Sequence, residues 1–210
     1  VGDASAFPTA AHLAAYADAN DSNYLKWMVY TPPSPDTLAT AGTWGTPVKI
    51  KDASGNSVAA SGPLSMCANA QTAFLAYRAP GKQLIRWAWR TMWTQDNASD
   101  PPVVNSDQNW TVQPGIKVGS TALTTGVGMA IQADNEFLYL VYTAQSTFVL
   151  QQALVPLTDL SNWRGNVPIS IVDSTLIPKS QSAPGFLIGQ QMALVVYPGQ
   201  IQPHLLEAWV

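Results

Sequence analysis

One pattern constrains this chain more than any other: an apolar run ending in tyrosine occurs four times. The copies are Leu13-Ala14-Ala15-Tyr16, Phe74-Leu75-Ala76-Tyr77, Leu138-Tyr139-Leu140-Val141-Tyr142 and Ala193-Leu194-Val195-Val196-Tyr197, with the tyrosines 61, 65 and 55 residues apart. Eight or nine residues after each tyrosine a second apolar segment begins, at Leu25, Ile85, Leu150 and Leu205. Turn-formers fill the gaps: Asn20-Asp21-Ser22, Pro80-Gly81 and Pro198-Gly199. Two short β-prone runs joined by such residues predict a β-hairpin. A further element recurs before three of the four hairpins: Trp44 through Pro47 to Ile50, Trp110 through Pro114 to Ile116, and Trp163 through Pro168 to Ile171. Between it and each hairpin lies one more apolar stretch, at Pro63–Met66, Val127–Ala130 and Pro184–Leu187. Each unit therefore holds about four short strands.

A lone four-stranded sheet leaves an apolar face in water, and stacking copies buries it. Four strands recurring at roughly 50 to 65 residues is the sequence form of propeller blades. The expected fold is all-β: a small β-propeller of about four degenerate four-stranded blades, with a β-sandwich as the alternative. The chain reads as one repeat-built domain, 1–210, with units at 1–43, 44–109, 110–162 and 163–210. The first unit opens without a Trp-Pro-Ile element, and Trp209-Val210 falls on the last strand of a unit. A ring with a short first blade, closure by homo-oligomerisation and a fragment of a larger ring are all solutions. Ala10 to Ala19 has helical propensity, but its alignment with the later hairpins predicts strand. Thr91 to Asn109, rich in Asn, Ser, Asp and Pro, reads as a long loop.

Charge is sparse. Asp, Glu, Lys and Arg make up 11% of residues, against about a quarter in a typical domain. Ten basic residues against 13 acidic give a net charge of −3, the wrong balance for a phosphate backbone, so no nucleic-acid partner is expected. Cys67 is the single cysteine, which excludes an internal disulfide, and its apolar neighbours read as core. No signal-peptide pattern or membrane span is read. The compartment is left open between secreted and cytoplasmic. Asn20, Asn97 and Asn109 begin Asn-x-Ser/Thr tripeptides, which arise often by chance in such a composition.

Catalytic signals are few. The two histidines, His12 and His204, occupy different places in the repeat, and no Gly-x-Ser-x-Gly elbow or metal-ligand spacing occurs. Neither metal nor cofactor is expected. Asp52, Asp173, Glu136 and Glu207 remain as carboxylates that could meet in space. The aromatics say more, at eight Trp and seven Tyr. Trp44, Trp110 and Trp163 share one repeat position and read as packing between sheets. Trp27, Trp87, Trp89, Trp93 and Trp209 cluster on or just after the last strand of the hairpin, and Trp87 and Trp89 share a strand face. They are either core or a platform on which the apolar face of a sugar ring stacks while neighbouring polar groups bond its hydroxyls. The candidate ligand-binding set is Trp27, Arg86, Trp87, Trp89, Trp93, Glu207 and Trp209, and the expected partners are glycans or glycoproteins.

The run from Trp44 to Trp89, and more loosely Trp163 to Trp209, resembles the blades of fungal and bacterial β-propeller lectins, the fucose-binding type included. The resemblance implies non-catalytic sugar pockets between adjacent blades, lined by aromatic and polar side chains. The family's binding Arg is not reproduced in every copy: Arg86 has Lys26, Gln151 and Leu206 at its equivalents. The sialidase Asp-box is absent. A structural or protein-interaction propeller and a carbohydrate-active hydrolase are the competing readings.

Overall fold

The computed structural model describes residues 12–31, 42–69, 72–94, 103–104, 109–169, 177–188, 193–198 and 205–209. All the strand pairs are antiparallel, and no helix occurs among the described residues. Four sheets follow one another along the chain. The first holds His12–Asp18, Tyr24–Thr31, Thr43–Trp44 and Val48–Lys49; the second Leu64–Asn69, Thr72–Arg78, Ile85–Thr91 and Thr111–Val112. The third holds Thr125–Ala133, Phe137–Ala144, Leu150–Pro156 and Arg164–Pro168; the fourth Gly185–Ile188, Ala193–Pro198 and Leu205–Trp209. The four expected hairpins all form, in one register: Tyr16 opposes Lys26, Tyr77 Arg86, Tyr142 Gln151, and Tyr197 Leu206.

The unit boundaries at 44, 110 and 163 do not coincide with sheet boundaries. Trp44 pairs with Tyr30, Thr111 with Trp89 and Arg164 with Leu154, so each Trp element completes the sheet of the hairpin before it. The long segment from Thr91 contains a small ribbon, Trp93–Thr94 against Val103–Val104. Asp173 and His204 lie outside the described residues.

The sheets pack in chain order. In the second sheet Ala73, Leu75, Tyr77 and Ala88 join a core with Leu25 and Trp27 of the first sheet, while Phe74, Ala76, Ile85 and Trp87 join one with Leu138, Leu140 and Tyr142 of the third. Val141 and Leu150 of the third sheet pack in turn with Val195 and Tyr197 of the fourth. A strand covered on both faces must be apolar at successive positions rather than alternate ones. That is why Ala73-Phe74-Leu75-Ala76-Tyr77 is an unbroken, fully buried run.

The repeat is sharpest in the backbone. Ile50 N–H donates to Leu25 O, Leu25 N–H to Val58 O, and Val58 N–H to Ile50 O. The same cycle runs through Ile116, Ile85 and Leu123. In the third copy Ile169 donates to Leu150 and Leu150 to Pro178, and proline has no N–H to close the cycle. Two residues before each hub, Asn23, Gln83 and Phe148 adopt positive φ of 56°, 50° and 58°. Their carbonyls accept from Ala60, Thr125 and Ser180 at 3.0, 2.9 and 2.9 Å.

Gly128 marks where the third sheet meets the segment leading into the fourth. A methyl group there would fall 2.9 Å from Ala183 Cα, and the Gly128 N–H and C=O are both held by the Thr125 hydroxyl at 3.0 Å. Gly128→Ala is expected to cost about 1–3 kcal/mol through this overpacking, read as a lower urea midpoint with unchanged slope.

Candidate functional site

Trp89 stands at the edge of a groove between the second and third sheets. Strand alternation puts Ile85, Trp87 and Trp89 on the face turned to the third sheet, and Arg86, Ala88 and Arg90 on the face turned to the first. Trp87 lies deep and Trp89 lies at the margin, half-buried, with part of its ring against the core. The remainder lines a groove of about 410 Å³ between the second and third sheets. Gln113 forms one wall, and the loop carrying Thr158, Asp159 and Ser161 forms the other.

That loop is built locally. Leu157 N–H donates to Glu136 O at 2.8 Å and Asp159 N–H to Pro156 O at 3.1 Å, turning the chain just before Trp163 enters the sheet. The Asp159 carboxylate accepts from the Ser161 hydroxyl at 2.6 Å and the Ser161 N–H at 3.2 Å. These bonds, with a smaller contribution from the charge of Arg164, hold its pKa below the usual carboxylate value. Leu157 and Leu160 sit half-buried against the core and anchor the loop from beneath. Gln113 is fixed by its backbone, which donates to Trp87 O at 2.9 Å, while its carboxamide makes no side-chain hydrogen bond among the described residues. The groove thus offers a partly open indole, a free amide, an exposed carboxylate and two hydroxyls.

Trp27 and Trp87 do not belong to any platform. Both are buried, and each meets the Trp of the next sheet edge-on: Trp27 with Trp110 at 6.2 Å and 70°, Trp87 with Trp163 at 5.6 Å and 83°. Serial packing covers the very strand face that a one-sided sheet would leave open. Arg86 lies on the opposite face from Trp89, half-buried beside the Tyr77 hydroxyl, and takes no part in the groove. Trp93 lies in the small ribbon, and Glu207 and Trp209 lie in the last strand of the fourth sheet, opposite Val196 and Leu194. The expected set is therefore distributed over separate elements, and among its members with described side chains only Trp89 lines the groove. Gln113, Asp159 and Ser161 were not singled out from sequence, because they sit in a strand end and a turn with no repeat signal. Arg90 was missed as well: it is buried with its guanidinium carbon 4.2 Å from the Trp27 ring centroid, a cation–π contact across the first junction.

A second cleft, of about 390 Å³, lies between Lys51, Asp52 and Gly55 on one side and Asn109 to Val112 on the other. Here Asp52 is engaged by its own turn, accepting Ser54 and Asn56 N–H at 2.9 Å each, and hydrogen bonds from Asn56 and Ser54 lower its pKa. Cys67 is buried, and loss of solvation raises its thiol to about 12. Among the described residues no cluster of His, Cys, Asp or Glu is arranged to hold a metal ion, and no helix is long and apolar enough to cross a membrane.

No family model matches the chain. No curated protein matches it either. Among solved structures it is similar to an exo-β-1,3-galactanase from Phanerochaete chrysosporium with β-1,3-galactotriose, at 8% identity and a TM-score of 0.43. The likeness spans 73% of this chain and 36% of that one, and at this level it decides neither fold nor activity.

Proposed function

We propose that the chain is a non-catalytic carbohydrate-binding protein built as a small β-propeller, with a neutral sugar seated in the groove at Trp89. The observation that carries this reading is the groove itself. A partly exposed indole lies between two sheets, opposite a free amide and a carboxylate–hydroxyl pair held by its own turn. A pyranose presents C–H groups on one face and hydroxyls around its edge. The indole takes the first, and Gln113, Asp159 and Ser161 take the second. Four sheets packed in chain order, with the second and third each packing one face forward and one back, support the propeller over a sandwich, whose strands would be shared between two sheets.

The carboxylates support binding over catalysis. A general acid for glycoside cleavage needs a raised pKa. Asp52 and Asp159 are held below their ordinary value by hydrogen bonds within their own turns. A shallow single site of this kind is expected to bind a monosaccharide at about 1 mM, or about −4 kcal/mol, with avidity supplied by repeated or clustered sites.

Trp89→Ala is expected to weaken glycan binding at least about tenfold, the scale of losing one aromatic anchor, with the circular dichroism spectrum retained. A glycan array followed by titration of tryptophan fluorescence checks it. If no neutral glycan binds to the wild type, or if the Trp89 variant binds unchanged, this reading is lost.

A further inference from the structure

The groove at Trp89 and the second cleft differ in charge. The cleft has Lys51 beside Asp52, and both oxygens of that carboxylate are engaged: Oδ1 accepts the Ser54 and Asn56 N–H groups, and Oδ2 accepts the Asn56 amide at 3.4 Å. No Lys, Arg or His lines the groove among the described residues, so Asp159 supplies its one formal charge. Both hydrogen bonds to Asp159, from the Ser161 hydroxyl and the Ser161 N–H, fall on Oδ1, and Oδ2 accepts none among the described residues. Arg164 is the weakest of the influences on this carboxylate and makes no ion pair with it among the described residues. The groove therefore carries an exposed negative charge with one oxygen open.

The hydrogen-bonding inventory points the same way. The Ser161 hydroxyl proton is committed to Asp159, which leaves Ser161 Oγ as an acceptor. Open donors are then the Gln113 amide and the Thr158 hydroxyl, against acceptors on Gln113, Thr158, Asp159 and Ser161. A ligand that brings donors is matched by this wall. One that brings a carboxylate meets Asp159 and no cation. The indole adds to the preference, since the face of a tryptophan ring attracts a cation within about 6 Å. An ammonium group has three donors and no acceptor, so carboxylate and ring favour it together.

We infer that the groove takes an amino sugar, a pyranose whose edge carries a protonated amine, in preference to its neutral parent, and disfavours acidic sugars. The amine bonds Asp159 Oδ2 while the C–H face of the ring lies on Trp89. This inference rests on the reading of the groove as a sugar site and adds to it the class of sugar. The gain is modest because Asp159 is exposed. Charge pairs at a protein surface change affinity by about two- to fivefold, and by less at high salt than at low.

The test titrates the wild type with methyl glucoside, methyl glucosaminide, methyl N-acetylglucosaminide and methyl glucuronide, and with the four galactose-derived counterparts, following the Trp89 indole N–H by NMR. Mildly acidic pH keeps the amine protonated and Asp159 ionised. The glycoside with the free amine should bind about two- to fivefold tighter than either neutral form, and the acid should bind most weakly. The gap should narrow between about 20 mM and about 1 M salt. Asp159→Asn, which keeps an oxygen for the Ser161 bonds, should bring the ratio of amino to parent affinity to about one. Methylammonium at the same concentration should not displace the amino glycoside. Equal affinity for amino and parent glycosides, or an unchanged ratio in Asp159→Asn, overturns the inference while sugar binding stands. Displacement by methylammonium overturns it in favour of a simple cation site. If none of the glycosides shifts the Trp89 signal, the sugar reading falls as well.

Discussion

Truncating Trp87 to alanine is expected to destabilise the protein by about 3–5 kcal/mol, the usual range for removing a large buried aromatic. Trp87 sits in the core between the second and third sheets, where it meets Trp163 edge-on at 5.6 Å. The loss combines transfer free energy with a cavity that the flanking strands can only partly close. Against a typical total stability of about 5–15 kcal/mol, that is enough to populate the unfolded state at ambient temperature. The pairing itself contributes about 0.5–1.5 kcal/mol beyond area. A double-mutant cycle between Trp87 and Trp163, followed by urea denaturation, should therefore show coupling of that size. The pair Trp27 and Trp163, which belong to different junctions, should be additive within about 0.5 kcal/mol. Additivity of Trp87 with Trp163 would contradict the edge-to-face contact as a source of stability.

The hairpins were legible because period and turn chemistry agree over four copies: Tyr77 opposite Arg86 and Tyr142 opposite Gln151 follow directly from the spacing. The membership of the Trp elements was not. A short apolar strand such as Thr111–Val112 looks the same whether it pairs with the hairpin before it or the one after it, and only the ladder to Ala88 and Trp89 decides. The three positive-φ positions were hidden because they hold Asn23, Gln83 and Phe148, which share no side-chain property. What they share is a carbonyl aimed at the returning chain, a backbone requirement that tolerates any residue able to bear the conformational cost.

Trp89 was named from sequence and lies in the groove, while Trp27 and Trp87, left open between core and platform, are buried, and one physical reason separates them. Period two assigns Trp87 and Trp89 to one face, but it says nothing about whether another sheet lies over that face. Where a neighbour covers it, depth along the strand decides: Trp87 is enclosed and Trp89 reaches the rim. The groove-facing residues of the loop from Leu157 to Ser161 are Thr, Asp and Ser, the composition of any turn, and a turn reads alike whether or not an indole faces it.

In alkali, stability is expected to fall steeply once the pH passes about 10, the ordinary tyrosine value. Tyr77 and Tyr142 are both buried, and loss of solvation raises the hydroxyl pKa of each. For Tyr77 it reaches about 12, with nearby Arg86 pulling the other way by less. Below pH 10 the hydroxyl is neutral in both folded and unfolded chains, so its contribution is fully present. Above that pH the unfolded chain gives up its proton while the folded one does not, and each such tyrosine costs about 1.4 kcal/mol per pH unit. By pH 12 Tyr77 alone removes about 2 kcal/mol, and Tyr142, also raised, adds to it. Unfolding by circular dichroism should therefore coincide with the rise of tyrosinate absorbance. The two residues differ in a way that separates burial from bonding. The Tyr77 hydroxyl has no hydrogen-bond partner in good geometry, whereas Tyr142 donates to Gln151 or Asn166. Tyr77→Phe is expected to be neutral or to stabilise by up to about 1 kcal/mol near pH 7, since it removes an unsatisfied group. It should also shift the alkaline transition upward. Tyr142→Phe is expected to cost about 1–2 kcal/mol near pH 7 because it strands half-buried acceptors. Equal costs for the two substitutions would show that burial alone, and not the hydrogen-bond geometry at each junction, sets what these tyrosines contribute.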